Sequence, residues 1–304
     1  MQNNKIINRL VIRYLRHKEI DFQKWDSCVQ NSINGLPYCY SWYLDLACEE
    51  NWDGLIADDY SAIFPLPFKN RVLFKQIYQP FFVQQLGMFF TNPDQMQLLN
   101  YFIEAIPAQF RKINLQLNTQ NQLQSTFLKL KHKLTHHILL NKDYASLVSE
   151  YGSNTKRNLK KAIARQPQIT NMISPFQMTE LRKKYLGEEL KGIQNESDFL
   201  RLQRIMEKAL ALNMGEITGV INQENEIDAA VFYLKSNQHI IYLNAISSDK
   251  GKEKHAMTFL IDHLLKRFSG SDLIFDFEGS MIPGIARFYK GFGAVEISYP
   301  VIVK

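Results

Sequence analysis

The order of helix and strand patterns repeats once along the chain, and this repetition limits the possible fold more than any other feature of the sequence. In each half a hairpin is followed by a third strand, an amphipathic helix and a further strand. The helices begin at Asp94 and Glu253, 159 residues apart, and the strands KINLQLN and DLIFDFE lie about 160 residues apart. This near-constant offset predicts two similar α/β domains of ordinary size.

Hydrophobic periodicity predicts the individual elements. Apolar runs on both sides of Asp58–Asp59 predict a hairpin over 53–68, and similar patterns predict strands at 5–15, 72–78, 112–118, 133–140, 216–222, 227–235, 239–246, 273–277 and 294–303. Helix patterns lie at 21–33, 38–50, 94–106, 143–166, 176–187, 196–213, 253–268 and 282–290. We therefore predict an α/β (α+β) chain with domains at 1–142 and 143–304, each with a mixed, mostly antiparallel sheet flanked by helices.

Composition excludes several classes of protein. Hydrophobic residues make up 45% and charged residues 22% of the 304 residues, which excludes a disordered or fibrous chain. No apolar run approaches the roughly 20 residues that a membrane-spanning helix needs, and the N-terminus lacks a secretory pattern. Three cysteines without a CxxC pair favour a reducing compartment. We expect a cytoplasmic protein without a bound metal.

A basic segment at 153–165 concentrates the charge surplus, which is +6 for the whole chain. On a helix, Arg157, Lys161 and Arg165 share one face and Lys160 lies beside them, while the segment contains no acidic residue. Such a face suits a diphosphate or the acceptor end of an RNA, although a solvated surface explains it equally well. The sequence predicts binding of a phosphorylated molecule by Arg157, Lys160 and Lys161.

A strand, a turn and a helix at 273–293 form the strongest candidate site. Such a unit carries Asp276, Glu278 and Ser280 to the open end of a sheet and places Tyr289 and Lys290 on a neighbouring helix. In acyl transfer a cation near the carbonyl oxygen lowers the barrier, and a carboxylate can serve as the base. The pattern leaves open whether Asp276 or Glu278 is that base, and Lys290 also suits a helix C-terminus.

The strings FDFEGSMIPGIARFYKGFGA and NTKRNLKKA resemble the FemAB/FemX group of tandem GNAT-fold acyltransferases, and SWYLDLACEENWDGL, IFPLP and YQPFFVQQLG resemble the first domain of FemAB-like proteins. The resemblance implies two GNAT-like domains, the first on the acceptor side and the second on the donor side. It implies transfer of an activated aminoacyl or acyl group to an amine, such as that of a cell-wall precursor. Because a lysine follows an aromatic residue in this pattern, it also implies that Lys290 stabilises the oxyanion.

In the first domain, the polar and aromatic residues of the resembling strings are candidates for binding the acceptor: Trp42, Tyr43, Tyr78, Gln79, Phe81, Gln84 and Gln85. Ordinary core and turn packing explains each of them equally well. Muropeptide-binding relatives carry a phosphate-contacting lysine near this helix, whereas residues 25–68 contain no lysine. This difference argues against a UDP-muramyl acceptor.

The donor remains open between aminoacyl-tRNA and acyl-CoA or an acyl carrier. The loop with which GNAT enzymes bind the pyrophosphate of coenzyme A has the pattern Q/R-x-x-G-x-G/A, and the corresponding string SSDKGKEKHAMTFL contains only Gly251. Lys250 and Lys252 beside this glycine remain candidates for contacting a phosphate. No tightly bound cofactor and no DNA partner are expected. A third hypothesis is a non-catalytic protein that binds a phosphorylated precursor or tRNA.

Overall fold

A computed structural model of the chain describes residues 11–123, 128–186, 195–278 and 281–304. The chain divides into two compact units, of which the first comprises the residues up to Lys133 together with Ser298–Lys304. The second unit comprises Leu134–Ile297. Among the described residues, no helix has the length and apolar character needed to cross a membrane.

The first unit contains strands β1 (Ile12–Leu15), β2 (Trp52–Ala57), β3 (Ala62–Asn70), β4 (Lys75–Ile77), β5 (Phe89–Phe90) and β6 (Phe110–Gln116) and helices α1 (Phe22–Asn31), α2 (Ser41–Cys48) and α3 (Leu99–Glu104). Strands β1 to β4 pair antiparallel in sequence order, β4 pairs parallel with β6, and β5 pairs with β3. Short 3-10 helices lie at His17–Glu19, Pro37–Cys39 and Pro93–Leu98.

The predicted hairpin over 53–68 is confirmed as β2 and β3, which pair from Ala57↔Ala62 to Trp52↔Pro67. Strand β2 is buried along its whole length because its residues are almost all apolar. The strand predicted at 72–78 is shorter than expected, since Val72 is fully exposed and only the residues of β4 join the sheet. An apolar pattern alone therefore overestimated this strand.

The second unit contains helices α4 (Tyr144–Ser149), α5 (Ser153–Ile163), α6 (Pro175–Tyr185), α7 (Glu196–Ala211), α8 (Asp249–Glu253), α9 (Ala256–Phe268) and α10 (Pro283–Lys290). Its strands are β7 (Lys129–Leu139), which begins in the first unit, and β8 (Gln168–Thr170), β9 (Gly215–Ile221), β10 (Ile227–Lys235), β11 (His239–Ser247) and β12 (Ile274–Asp276). The sheet order is β7-β12-β11-β10-β9-β8, and β11 and β12 are parallel whereas the other neighbours are antiparallel.

Two strands continue across the division between the units. Strand β7 passes from the first unit into the second, and the last strand, β13 (Val295–Val303), returns to the first, where Val301 pairs with Gln116 of β6. The described division therefore differs from the predicted boundary at residue 142. Residues 134–142 lie in the second unit and residues 298–304 in the first.

The helix predicted at 253–268 is α9, which begins three residues later at Ala256, and Lys254 and His255 separate it from the short helix α8. His255 has a positive φ of 58°, a conformation that ends a helix, and Ser248 caps α8 by accepting the N–H of Gly251 at 3.0 Å. Helix α9 then packs its apolar face against β9 and β10, with Leu260, Ile261 and Leu264 fully buried in the core of the second unit. This packing fixes the connection between β11 and β12.

Candidate active site

The parallel ladder of β11 and β12 ends where β12 ends. The ladder runs from His239↔Ile274 to Ile241↔Asp276, and β12 ends there while β11 continues for six more residues. The C-terminal ends of parallel strands are where α/β sheets present functional side chains. The region beyond the last paired residues, Ile241 and Asp276, which we call the gap, is therefore the candidate active site of the second unit.

A β-bulge in β11 directs Asn244 to one face of the sheet. Phe232 of β10 pairs with Asn244 and Leu234 pairs with Ile241, so β11 has one more residue than β10 in this interval. Bulges re-aim side chains and occur often beside active sites. As a result Tyr242 packs in the core beneath α9, with its hydroxyl 3.0 Å from the sulfur of Met257, whereas Asn244 meets Arg182 of α6.

Arg182 links Asn244 to the end of β12. Its Nη1 atom donates a hydrogen bond to Oδ1 of Asn244, and burial lowers the pKa of Arg182 to about 10, although the charge of nearby Glu278 acts in the opposite direction. The guanidinium therefore remains a cation at neutral pH. A cation, a carboxylate and an amide thus converge beyond the last paired residues of β11 and β12.

Asp276 is buried, which corrects the expectation that it reaches the substrate. Only 1% of its surface is exposed, and its Oδ1 accepts hydrogen bonds from the Thr135 hydroxyl at 2.5 Å and the Glu278 backbone N–H at 2.8 Å. Its Oδ2 lies 3.2 Å from Nε2 of His137. Burial would raise the pKa of Asp276, but His137 and Thr135 outweigh this effect and lower it.

Glu278 is half-buried and has a positive φ of 57°, the left-handed conformation that non-glycine residues rarely adopt. The hydrogen bond from its N–H to Asp276 holds this turn in place. Of the two predicted carboxylates, Glu278 is therefore the one at the gap. Ser280, which was predicted to lie beside it, falls outside the described residues.

Tyr289 packs against the end of β12. Its ring stacks on Phe277 with the ring centres 4.4 Å apart, and its other edge meets His136 at 5.9 Å. Burial raises the pKa of Tyr289, and the negative charges of Glu278 and Asp276 add to the effect. The Tyr289 hydroxyl is therefore neutral at physiological pH, and its role in substrate binding stays a prediction.

Lys290 is half-exposed, and its Nζ forms an ion pair with Oε1 of Glu296 at 2.7 Å. The same carboxylate oxygen lies 3.7 Å from Nε2 of His136. Burial lowers the pKa of His136, and the positive charge of Lys290 contributes in the same direction although Glu296 opposes it. Lys290 therefore lies beside β13 and β7, the strands that carry Glu296 and His136, and it must leave Glu296 to contact a substrate oxygen.

The predicted basic helix is α5, and Arg157, Lys160 and Lys161 are exposed on it. Arg157 donates to Oδ1 of Asn154 at 2.5 Å. Helix α5 begins next to the end of α10, because the N–H of Gly152 donates to the carbonyl oxygen of Gly291 at 2.9 Å. The basic face therefore belongs to the same unit as the gap.

The predicted phosphate-binding residues at 250–252 already have partners in the chain. Nζ of Lys250 pairs with Glu226 at 2.9 Å and Nζ of Lys252 with Asp249 at 2.9 Å. The backbone of Gly251 lies so close to Asp228 that a Cβ at residue 251 would be 1.8 Å from the Asp228 carbonyl oxygen. This glycine has a structural role in the contact between α8 and β10.

In the first unit, several predicted acceptor residues bond to the protein itself. Tyr43 is fully buried and its hydroxyl donates to the carbonyl oxygen of Phe82. The amide of Gln79 donates to the Val83 carbonyl at 2.7 Å and accepts the Gln116 N–H at 2.9 Å. These contacts give Tyr43 and Gln79 a place in the structure of the unit.

Gln84 and Gln85 also form hydrogen bonds within the protein. Gln85 is 2% exposed, donates to Oε1 of Gln84 at 2.6 Å and accepts the Thr119 N–H at 3.0 Å. The remaining predicted residues are more open: Trp42 and Tyr78 are half-buried and Phe81 is exposed.

Sequence patterns did not identify Arg182, Asn244, His136 or Glu296 as site residues. Arg182 lies in a run of basic residues, LRKK, at the end of a helix, and Asn244 is a single polar residue in an apolar strand. The isolated asparagine in a buried strand was a usable signal, because buried polar groups require partners. Among the described residues, no group of three or more metal-ligating side chains is suited to a metal ion.

Three solved structures share the fold over nearly the whole chain. FemX aligns with a TM-score of 0.71 at 12% identity, covering 95% of this chain and 96% of its own. A conserved protein of unknown function from Bacteroides thetaiotaomicron aligns with a TM-score of 0.61 at 12% identity, covering 97% of this chain and 100% of its own. L-PGS from Bacillus licheniformis aligns with a TM-score of 0.59 at 10% identity, covering 93% of this chain and 91% of its own. No protein-family model and no curated protein matches the sequence. The chain has the fold of FemX, in agreement with the resemblance of its motifs.

Proposed function

We propose that this protein is an acyltransferase that moves an activated acyl or aminoacyl group onto an amine. The observation that best supports this function is the gap beyond Ile241 and Asp276, where a guanidinium, a carboxylate and an amide converge. These groups match the charges of an acyl-transfer reaction, in which the carbonyl oxygen becomes negative and the attacking amine loses a proton. The shared fold with FemX supports the same reaction class.

Glu278 is the base in this proposal, because Asp276 is buried and already bonded while Glu278 is at the gap. Lys290 stabilises the negative charge on the carbonyl oxygen once it has left Glu296, which holds it in the free protein. The basic face of α5 holds the phosphorylated part of a substrate, either a diphosphate or the acceptor end of a tRNA.

We also propose that the two units are tandem GNAT-like domains and that the first binds the acceptor. In the first unit β2, β3 and β4 are followed by α3 and the parallel strand β6, and in the second β9, β10 and β11 are followed by α9 and the parallel strand β12. This equal order supports a duplication. The proposed acceptor is a phosphorylated precursor with a free amine, such as a cell-wall precursor.

An aminoacyl ester is our preferred donor, because the lysines at 250 and 252 are ion-paired and the N–H of Gly251 is bonded to Ser248. These partners reduce what the segment can offer to the pyrophosphate of coenzyme A. An acyl-CoA or acyl-carrier donor is the alternative outcome of the experiment below.

A donor screen tests the proposal. The purified protein is incubated either with tRNA charged with a radiolabelled amino acid mixture or with radiolabelled acetyl-CoA and palmitoyl-CoA. The amine acceptors are a lysine peptide, glucosamine and a muramyl pentapeptide precursor. We expect label to move from tRNA to an acceptor and Glu278→Gln to reduce the rate about 100-fold or more. Transfer from coenzyme A alone would identify the alternative donor, and binding of tRNA without transfer from any donor would indicate a binding protein.

A further inference from the structure

Asn244 carries a buried hydrogen-bond donor for which the described part of the chain supplies no acceptor. The residue is 2% exposed, and its Nδ2 atom has no hydrogen-bond partner there. Leaving a buried donor unsatisfied is destabilising, so such groups are rare in folded proteins. The amide N–H can therefore donate a hydrogen bond to an acceptor on a bound molecule.

Arg182 fixes which end of the amide is presented. A guanidinium has hydrogen-bond donors and no acceptor, so the amide must direct its oxygen toward Arg182 and its NH₂ group away from it. The oxygen and nitrogen of an asparagine are assigned from such a network, and here the cation leaves one choice. The unsatisfied donor therefore has a defined direction.

The position of Asn244 places this donor at the gap. It lies three residues beyond Ile241, the last residue of β11 that pairs with β12. Arg182 donates a hydrogen bond to Asn244. The negative charge of Glu278, which follows the end of β12, raises the pKa of Arg182 against the effect of burial. The guanidinium thus neighbours a residue of β11 and a residue that follows β12, both beyond the last pair of their ladder.

We propose that Asn244, oriented by Arg182, donates a hydrogen bond to the carbonyl oxygen of the acyl group. The inference rests on the proposed function and adds a catalytic residue from β11 to the proposed role of Lys290. The amine nitrogen bonds to the carbonyl carbon and the carbonyl π pair moves onto the oxygen, where Asn244 donates. Glu278 takes the amine proton. When the intermediate collapses, the bond to the ester oxygen or thioester sulfur breaks, and the leaving group receives that proton.

A spectroscopic test is independent of turnover. In protein labelled with ¹⁵N at asparagine, the Asn244 side-chain signal is assigned by its loss in Asn244→Asp. Two stable carbonyl probes are added separately: an aminoacyl-amide of 3′-amino-adenosine, which mimics the end of a charged tRNA, and the ketone analogue acetonyl-CoA. We expect a downfield shift of one Asn244 amide proton with one probe. An unchanged Asn244 signal with both probes at saturation would overturn the proposal.

Turnover with the donor that the screen identifies provides the second test. Asn244→Asp retains an oxygen for Arg182 and removes the donor, so the fold is kept while kcat is expected to fall about 100- to 1,000-fold with little change in KM. Asn141→Asp, an equivalent change at an exposed residue of the same unit, is the control and should keep kcat. A folded Asn244→Asp variant with kcat within threefold of wild type would refute the role of Asn244 and leave the proposed function intact.

Arg182 is a positioning residue in this proposal, and rescue tests that role. Arg182→Ala is expected to lose activity and to regain part of it when guanidine is added at concentrations that do not unfold the protein. Arg182→Lys should keep more activity than Arg182→Ala, because lysine still donates to the amide oxygen. Loss of activity that neither guanidine nor lysine restores would contradict the positioning role. A chain that shows no transfer from any donor would instead refute the proposed function, and the probe spectra would still decide whether Asn244 binds a carbonyl.

Discussion

The carboxylate of Asp276 accepts the backbone N–H of Glu278 at 2.8 Å, and this bond holds Glu278 in a left-handed conformation at the end of β12. Because the Thr135 hydroxyl donates to the same buried carboxylate and Nε2 of His137 lies 3.2 Å from it, its position is fixed by strand β7. The two acidic residues therefore have different tasks. Asp276 sets the turn, and Glu278 occupies the place that the turn provides.

Replacing Asp276 tests this division of tasks through stability. Asp276→Ala leaves the Thr135 hydroxyl and the Glu278 N–H without their acceptor, and each buried donor left unsatisfied costs roughly 1–3 kcal/mol. Asp276→Asn should cost less, because its amide oxygen still accepts a hydrogen bond. Urea unfolding at pH 7 measures both values. Equal stability of Asp276→Ala and wild type would contradict the structural role of Asp276.

The pKa of Asp276 also predicts how this contribution depends on pH. Its pKa is lowered from 3.8, so the stability that it adds is complete above pH 3.8 and is lost as the pH falls through the folded-state pKa. The difference in unfolding free energy between wild type and Asp276→Asn should therefore stay constant from about pH 7 to 5 and shrink below pH 4. A difference that increases in acid would have the wrong sign.

We expect the stability of the protein to depend on pH in a second range, which His239 sets. Burial lowers its pKa from 6.5 to about 4, so the unfolded chain binds a proton more readily than the folded one. Above pH 6.5 His239 does not change the free energy of unfolding. As the pH falls from 6.5 toward 4, it lowers the free energy of unfolding, by about 3 kcal/mol at pH 4. His239→Gln should remove this loss in urea unfolding between pH 7 and 4. His132→Gln, which changes an exposed histidine of β7, is the control, and the same loss in His239→Gln as in wild type would refute the prediction.

Gly251→Ala tests the close contact between α8 and β10. A Cβ atom at residue 251 would lie 1.8 Å from the Asp228 carbonyl oxygen, so the backbone must move, at a cost of about 1–3 kcal/mol. Gly284→Ala is the matched control, because its added Cβ meets no heavy atom within 4 Å and alanine favours the helix. Thermal unfolding of both variants is compared with wild type. Equal melting temperatures for the two would contradict the contact.

Local patterns predicted most elements of the fold. The strand predicted at 227–235 has the same bounds as β10, and the helix at 282–290 differs from α10 by one residue, because periodicity and capping residues act over a few positions. Pairing over long distances was not available from those patterns. Strand β13 returns to β6 of the first unit, and nothing local in its sequence distinguishes β6 from other partners.

The candidate site was predicted in part for the same reason. Glu278, Tyr289 and Lys290 come from one continuous segment, so the strand–turn–helix pattern brought them together. Arg182 and Asn244 lie 62 residues apart and meet only because the β11 bulge turns Asn244 toward α6. The lysines at 250 and 252 appeared available to phosphate. Lys250, however, pairs with Glu226, which directly precedes β10 and lies 24 positions earlier in the sequence.

The basic face of α5 predicts salt-dependent binding of a tRNA acceptor-stem minihelix. Arg157→Gln with Lys161→Gln should weaken binding and reduce the slope of log Kd against log salt by about one to two, because each lost phosphate contact removes roughly one released counterion. Fluorescence anisotropy between about 50 and 200 mM salt measures the slope. Arg204→Gln with Lys208→Gln, an exposed pair of equal spacing on α7, is the control. Equal slopes for the two double variants would exclude a specific role of α5.

Lys290 predicts a loss of activity without a comparable loss of stability. Its ammonium and the Glu296 carboxylate are both well exposed to solvent, and such ion pairs contribute no more than about 1 kcal/mol to folding. Lys290→Ala should therefore unfold in urea almost as wild type does while kcat falls about 100-fold, because the charge on the carbonyl oxygen loses its cation. Arg287→Ala removes an exposed cation from the same helix and should keep kcat. Near-normal turnover by folded Lys290→Ala would show that the oxyanion depends on another donor, and Asn244 would then be the first residue to test.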